Sequence, residues 1–180
     1  MLKTQRNSHK RVLVSKQVGA DKDYGFRITA DEDDTKPRLR FAVFPGPTSN
    51  SKTILAVAMF VGGSDCGYGG IVRGDHAGQI EEWTQEPVFT NVEGGMYLGE
   101  LGGKRGYGLA VWGFIWGKDE AHFQAHRYSV ASYQYDEQTA KMVKLEELIT
   151  KGRYKSDEQA LAEMRPHYPS FLRSTRDFRC

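Results

Sequence analysis

Two histidines, His122 and His126, stand four residues apart just after Asp119 and Glu120. On a helix that spacing puts both imidazoles on one face, as in a zinc protease, but there the glutamate lies between the histidines and here it precedes them. Phe123, Tyr128 and Val130 read instead as a turn running into a strand. Strand residues four apart are about 13 Å from each other at ~3.3 Å per residue, too far to share one metal. The plainer reading is that the two imidazoles edge an aromatic surface and bond to neighbouring loops. Cys66 is the other reactive candidate, yet a thiol nucleophile needs a histidine within reach and a third group to orient it. Nothing in the sequence marks such a set. The acidic run Asp31–Asp34 lacks the alternate spacing and the glycine of a calcium loop and reads as a solvated connection. No catalytic residue, metal site or cofactor is expected.

Gly62 to Gly70 reads Gly-Gly-Ser-Asp-Cys-Gly-Tyr-Gly-Gly. It has no Gly-Lys-Ser/Thr ending and no helix after it, so it is no phosphate cradle. Ser64 lacks the G-x-S-x-G setting of a nucleophile elbow. An exposed connector rich in backbone donors remains, either a plain link or a contact loop carried on a rigid sheet. Gly63, Ser64, Asp65, Gly67 and Tyr68 are its candidate contact residues. Trp112, Phe114 and Trp116 alternate along a strand and so share a face. Burial is the default for such a stripe. Any part left exposed is a candidate hot spot, since tryptophan joins large area to low entropy cost; Trp112 and Trp116 are therefore candidates too.

The elements needed to hold these residues are mostly strands. Val12/Val14, Tyr24/Phe26/Ile28 and Leu39/Phe41/Val43 alternate with polar neighbours. Pro45-Gly46-Pro47 stops the third of these runs. Thr53–Val61 is almost wholly apolar, as suits a strand buried on both faces. Ile71–Trp83 predicts a hairpin turning near Asp75–Gly78, with His76 at the tip, and Val88-Phe89 a short strand. Met96–Trp116 is the central hairpin, its reversal supplied by Gly102, Gly103, Gly106 and Gly108. A long strand is expected over Ala121–Tyr135, and a strand or short helix over Met142–Ile149. Ser156-Asp-Glu-Gln159 is a capping box opening a short helix over 156–165, ended by Pro166. Residues 1–10 are expected to be a flexible leader and 166–180 a tail.

The 180 residues suit one domain, large enough to bury a core without metal or disulfide. The net charge of +2 lacks the basic excess of a nucleic-acid binder. Aromatic residues at 12% and 20 glycines favour a turn-rich β protein. No run of 18 apolar residues occurs, so no membrane-spanning helix is expected. A disulfide between Cys66 and Cys180 would close a loop of about 113 residues, worth ~4–5 kcal/mol in chain-entropy terms; two separate reduced thiols are the alternative. Met1–Lys16 holds no apolar leader segment. The chain is expected to be an exported protein, periplasmic or extracellular, whose leader is not included, or else a cytoplasmic one.

Tyr97-Leu-Gly-Glu-Leu-Gly-Gly-Lys-Arg-Gly-Tyr-Gly-Leu-Ala-Val111 resembles one repeat of the FG-GAP/VCBS family, the integrin-like β-propeller repeat. Leu55–Gly70 is a weaker echo, and Tyr128–Asp136 is similar to the outer strands of such a blade. Gly102, Lys104 and Gly106 stand where the family's loops carry calcium-holding aspartates, so calcium is not carried over. The resemblance implies a small propeller-like assembly of three or four sheets that binds partners. Together these readings predict an all-β, mainly antiparallel domain over 1–180, propeller-like or multi-sheet, with a short C-terminal helix. The expected function is non-enzymatic protein binding, as in an inhibitor or immunity protein that blocks a bacterial cell-wall hydrolase through the Gly-rich loop. A carbohydrate-binding module using exposed Trp112 or Trp116, and a hydrolase using Cys66 or the histidine pair, are the rivals.

Overall fold

Alternation of apolar and polar side chains builds antiparallel sheets here, as expected. The structure, a computed structural model, describes residues 2–7, 10–18, 23–31, 38–48, 50–62, 65–76, 79–91 and 93–168. Strands β1 (Leu2–Asn7), β2 (Lys10–Val18) and β3 (Asp23–Asp31) form one sheet. A second holds β4 (Arg38–Pro45), β5 (Lys52–Gly62), β6 (Asp65–His76), β7 (Gln79–Glu82) and β8 (Val88–Asn91). There β8 pairs with β6 at Gly67–Gly70 and β7 pairs with it at Arg73–His76. The third sheet contains β9 (Gly95–Glu100), β10 (Tyr107–Ile115), β11 (Arg127–Asp136) and β12 (Lys141–Ile149), in the order β12-β11-β10-β9. Every strand pair among the described residues is antiparallel. Helix α1 (Asp157–Met164) follows. No helix among the described residues is long and apolar enough to cross a membrane.

The second and third sheets face each other across the main core. Leu55, Val57, Val72, Trp83 and Val88 come from one side, and Met96, Leu98, Leu109, Val111 and Met142 from the other. Trp83 is fully buried and packs on Tyr135 with ring centroids 4.2 Å apart. Polar ties join the two layers. Tyr107 Oη donates to the Pro45 carbonyl at 2.9 Å, and Thr53 Oγ1 lies 2.9 Å from the same hydroxyl. Lys141 Nζ donates to the Glu82 carbonyl at 2.6 Å, and Met142 N to the Trp83 carbonyl at 2.7 Å. The other face of the third sheet is covered by α1 and the turn after it. Tyr97, Ala110, Trp112 and Val130 pack there on Met164 and Tyr168, and Phe114 and Tyr128 pack on Ala160.

Four expectations are corrected. Residues 65–70 are not a loop: they are the first half of β6, paired with β5 on one edge and, over Gly67–Gly70, with β8 on the other. Glycine is a poor strand former, which is why the stretch reads as a connector. Here its missing side chain makes room for large neighbours, since a Cβ on Gly70 would lie 2.5 Å from Met96 Sδ and one on Gly74 2.1 Å from the Trp83 ring. Within the expected leader, Leu2–Asn7 is a strand on β2. β11 begins at Arg127 rather than at Ala121, because residues 117–125 fold into a separate loop. Ser156 precedes the helix in an extended conformation but makes no side-chain cap. The first turn is anchored instead through Asp157, whose carboxylate accepts from the Trp112 indole.

Three of the four glycines expected to turn the central hairpin do so, and the fourth, Gly108, lies within β10 opposite Gln134. Gly102, Gly103 and Gly106 sit at φ 85°, 62° and 60°, where a Cβ is strained, and Leu101 N donates to the Gly106 carbonyl at 2.9 Å.

Candidate binding surface

Along β10 the residues Ala110, Trp112 and Phe114 share the helix-covered face, and Trp116 continues their alternation just beyond the strand. Trp112 and Phe114 are 2% and 5% exposed, whereas Trp116 is 47% exposed. Partner strand β9 reaches only as far as the pairing of Gly95 with Trp112. Beyond it the side chain of Asn91 acts as a substitute strand: its Nδ2 donates to the Phe114 carbonyl at 2.7 Å and its Oδ1 accepts from Phe114 N at 3.2 Å. The backbone that delivers Trp116 is therefore held on both edges, with β11 paired as far as Ile115.

Glu120 organises the loop that follows. Its Oε2 accepts from Gly117 N at 2.8 Å and lies 2.9 Å from His126 Nδ1, and its Oε1 meets the Arg153 guanidinium. Two charged or ring partners and one amide on a single carboxylate fix its rotamer and hence the loop. Gln124 Oε1 accepts from Ala121 N at 2.9 Å. His126 also exchanges backbone bonds with Tyr154 at 2.9 and 2.8 Å. Its ring stacks on Phe114 with centroids 4.6 Å apart, and Trp116 sits edge-on to both, at 4.9 Å from Phe114 and 5.3 Å from His126. The outcome is a braced platform with Trp116 half in solvent, the His122 ring 6.2 Å from it, and Phe123 82% exposed.

The two histidines are held as bracing and packing groups rather than as a shared metal site. His126 is 2% exposed, and its two ring nitrogens face Glu120 Oε2 and the His122 carbonyl, the latter at 3.3 Å. It has the carboxylate of a catalytic dyad but no ring nitrogen turned toward a substrate. His122 is exposed, and with both His126 ring nitrogens facing other groups the buried imidazole has none to share with it on one ligand. Among the described residues no group of three or more His, Cys, Asp or Glu side chains could hold a metal ion.

The candidate contact residues lie on different elements. Asp65, Gly67 and Tyr68 lie within β6, Gly67 being half-buried between Phe60 and Asn91. Gly63, Ser64 and Cys180 lie outside the described residues, so the proposed disulfide with Cys66, itself a β6 backbone position, does too. Trp112 is buried and bonded to Asp157, which removes it from any contact surface. Trp116 alone of that set is an exposed large side chain on the described surface. Glu120 and Phe123 enter the sequence reading only as neighbours of the histidine pair, and Asn91 has no place in it as a site residue. The Gly117-Lys-Asp-Glu120 turn, with Asp119 at φ 64°, is the local signal that a structured loop interrupts the strand there.

A concavity of about 360 Å³ opens between β8 and β12. Phe89 and Thr90 stand on one side, Gly113, Ser129 and Ala131 on its floor, and Lys144 and Glu147 on the other side. Comparison with family models, characterised proteins and solved structures finds no match to this chain.

Proposed function

We propose that the chain is a non-enzymatic binding protein whose partner is another protein, contacted through the loop Trp116–Phe123. The observation that carries this reading is the pair of exposed aromatics, Trp116 at 47% and Phe123 at 82%, on a loop braced by Glu120. An aromatic anchor on a preorganised backbone loses little entropy on binding, and such side chains dominate interface energetics. An inhibitor or immunity protein acting on a bacterial cell-wall hydrolase is a role such a surface suits, because a stiff aromatic loop can cap an enzyme cleft without offering it a reactive group. In that role the contact moves from the Gly-rich segment to this loop. The test compares affinity capture by the wild type and by W116A/F123A. The reading expects one protein retained in near-stoichiometric amount by the first and lost from the second, with unchanged far-UV circular dichroism. Equal retention by both contradicts it.

The half-exposed Trp116 indole favours one rival, stacking on a sugar ring. Oligosaccharide titrations followed by tryptophan fluorescence separate the two, since a saturable quench that W116A removes supports the sugar and an unchanged signal supports the protein partner.

A further inference from the structure

Seven large apolar side chains are exposed among the described residues, and three of them, Val143, Leu145 and Ile149, belong to β12, at 46%, 47% and 47%. β12 ends the strand order of its sheet, so no described strand lies beyond it. A long edge with apolar side chains is a template for further pairing unless it is covered.

The backbone of β12 has an unusual symmetry. Met142 N donates away from β11, to the Trp83 carbonyl. Backbone groups alternate sides along a strand, so Lys144 points outward as well. At the other end Thr150 N donates inward, to the Tyr128 carbonyl at 2.9 Å, which turns Glu147 and Ile149 outward. The change of parity is absorbed at Leu145. Ser132 pairs with Glu146 and Tyr133 with Lys144, leaving Leu145 with no opposite residue, a β-bulge. The outward set is thus Met142, Lys144, Glu147 and Ile149, and it maps onto itself by a two-fold axis passing between Leu145 and Glu146. In an antiparallel pairing about that axis Lys144 faces Glu147 of the second chain, and the contact stops short of Met142, whose outer edge the Trp83 carbonyl occupies. Lys144 and Glu147 line the same concavity, so their side chains lie on one face of the sheet. They already form an ion pair of 2.8 Å within the chain and need only exchange partners.

We propose that two copies of this protein associate through β12, antiparallel about the axis between Leu145 and Glu146, joining their third sheets into one continuous sheet. The contact is isologous, so each Lys144–Glu147 pair occurs twice. Because Met142 N is occupied by Trp83, the new backbone bonds centre on Lys144 and Glu147. The proposal is independent of the Trp116 loop.

Sedimentation equilibrium of the full chain at tens of micromolar (about the range where edge contacts act) tests it. The wild type is expected as a dimer. Lys144→Glu and Glu147→Lys each set like charges opposite one another and should weaken dimerisation about tenfold or more. The double reversal K144E/E147K restores the pairing and should recover the dimer. Circular dichroism of each variant confirms that it is folded. A monomeric wild type overturns the proposal. So does a dimer that ignores both single reversals, or a folded double variant that stays as weak as the singles.

Discussion

The indole N–H of Trp112 donates to the carboxylate of Asp157 at 3.1 Å, joining the middle of β10 to the first turn of α1 across 45 positions of sequence. Both residues are buried, at 2% and 6% exposure. The bond satisfies a polar atom that burial would otherwise penalise, and it fixes how the helix lies over the sheet. The acidic group also sits well at a helix N-terminus. Trp112→Phe keeps most of the packing but strips Asp157 of this donor, and should destabilise the fold by ~1–3 kcal/mol in denaturant unfolding. Asp157→Asn retains an oxygen acceptor and should cost less than Asp157→Leu.

Gly74 is a packing requirement of Trp83. A Cβ there would lie within 2.1–2.5 Å of three indole carbons, and the indole is fully buried. Gly74→Ala must therefore displace the tryptophan or the strand, at ~1–3 kcal/mol. The near-ultraviolet dichroism of the buried indole should change with it. An alanine variant as stable as the wild type would contradict the packing described.

Tyrosine burial makes the fold sensitive to alkali. Burial pushes the Tyr107 hydroxyl up from 10.0 to about 12, opposed by its bond with Thr53. Burial also raises Tyr128 and Tyr168. The unfolded chain therefore loses these protons first as pH rises. The stability linked to Tyr107 is fully present below pH 10 and is lost between 10 and about 12, on the order of 2–3 kcal/mol for that group. Unfolding free energy should stay level with respect to these groups up to about pH 10 and then fall. Tyrosinate absorbance should rise in two stages, the later one coinciding with unfolding.

Glu120 is predicted to matter for the loop more than for the core. Glu120→Ala removes the acceptor of Gly117 N, the partner of His126 Nδ1 and the partner of Arg153. Amide exchange across residues 117–125 should accelerate by about an order of magnitude or more, whereas the β9–β10–β11 ladder keeps its protection. Equal acceleration in both places would mean that the loop is no separate unit.

The strands were legible wherever alternation is clean. Leu39, Phe41 and Val43 mark β4, and the glycines between Leu101 and Gly108 mark the central hairpin's turn. What escaped the sequence is decided by contacts between distant residues. Gly67–Gly70 looks like a connector because glycine weakens a strand locally, yet Met96, on another element, needs the space that Gly70 leaves, as Trp83 needs that of Gly74 further along the same strand. Trp112 and Trp116 are alike in one dimension. Only α1, folded over the sheet, separates a buried indole from a half-exposed one. The interruption of β11 before Arg127 follows from a carboxylate, Glu120, whose partners lie 3, 6 and 33 residues away.

Calorimetric titration of the captured partner protein against wild type and Trp116→Ala is the most direct measurement of the account. A braced aromatic anchor predicts that the single substitution weakens binding by ~2 kcal/mol or more, roughly thirtyfold, with no change in thermal stability beyond about a degree. An affinity within about twofold of the wild type would show that the Trp116 loop is not where the partner is held.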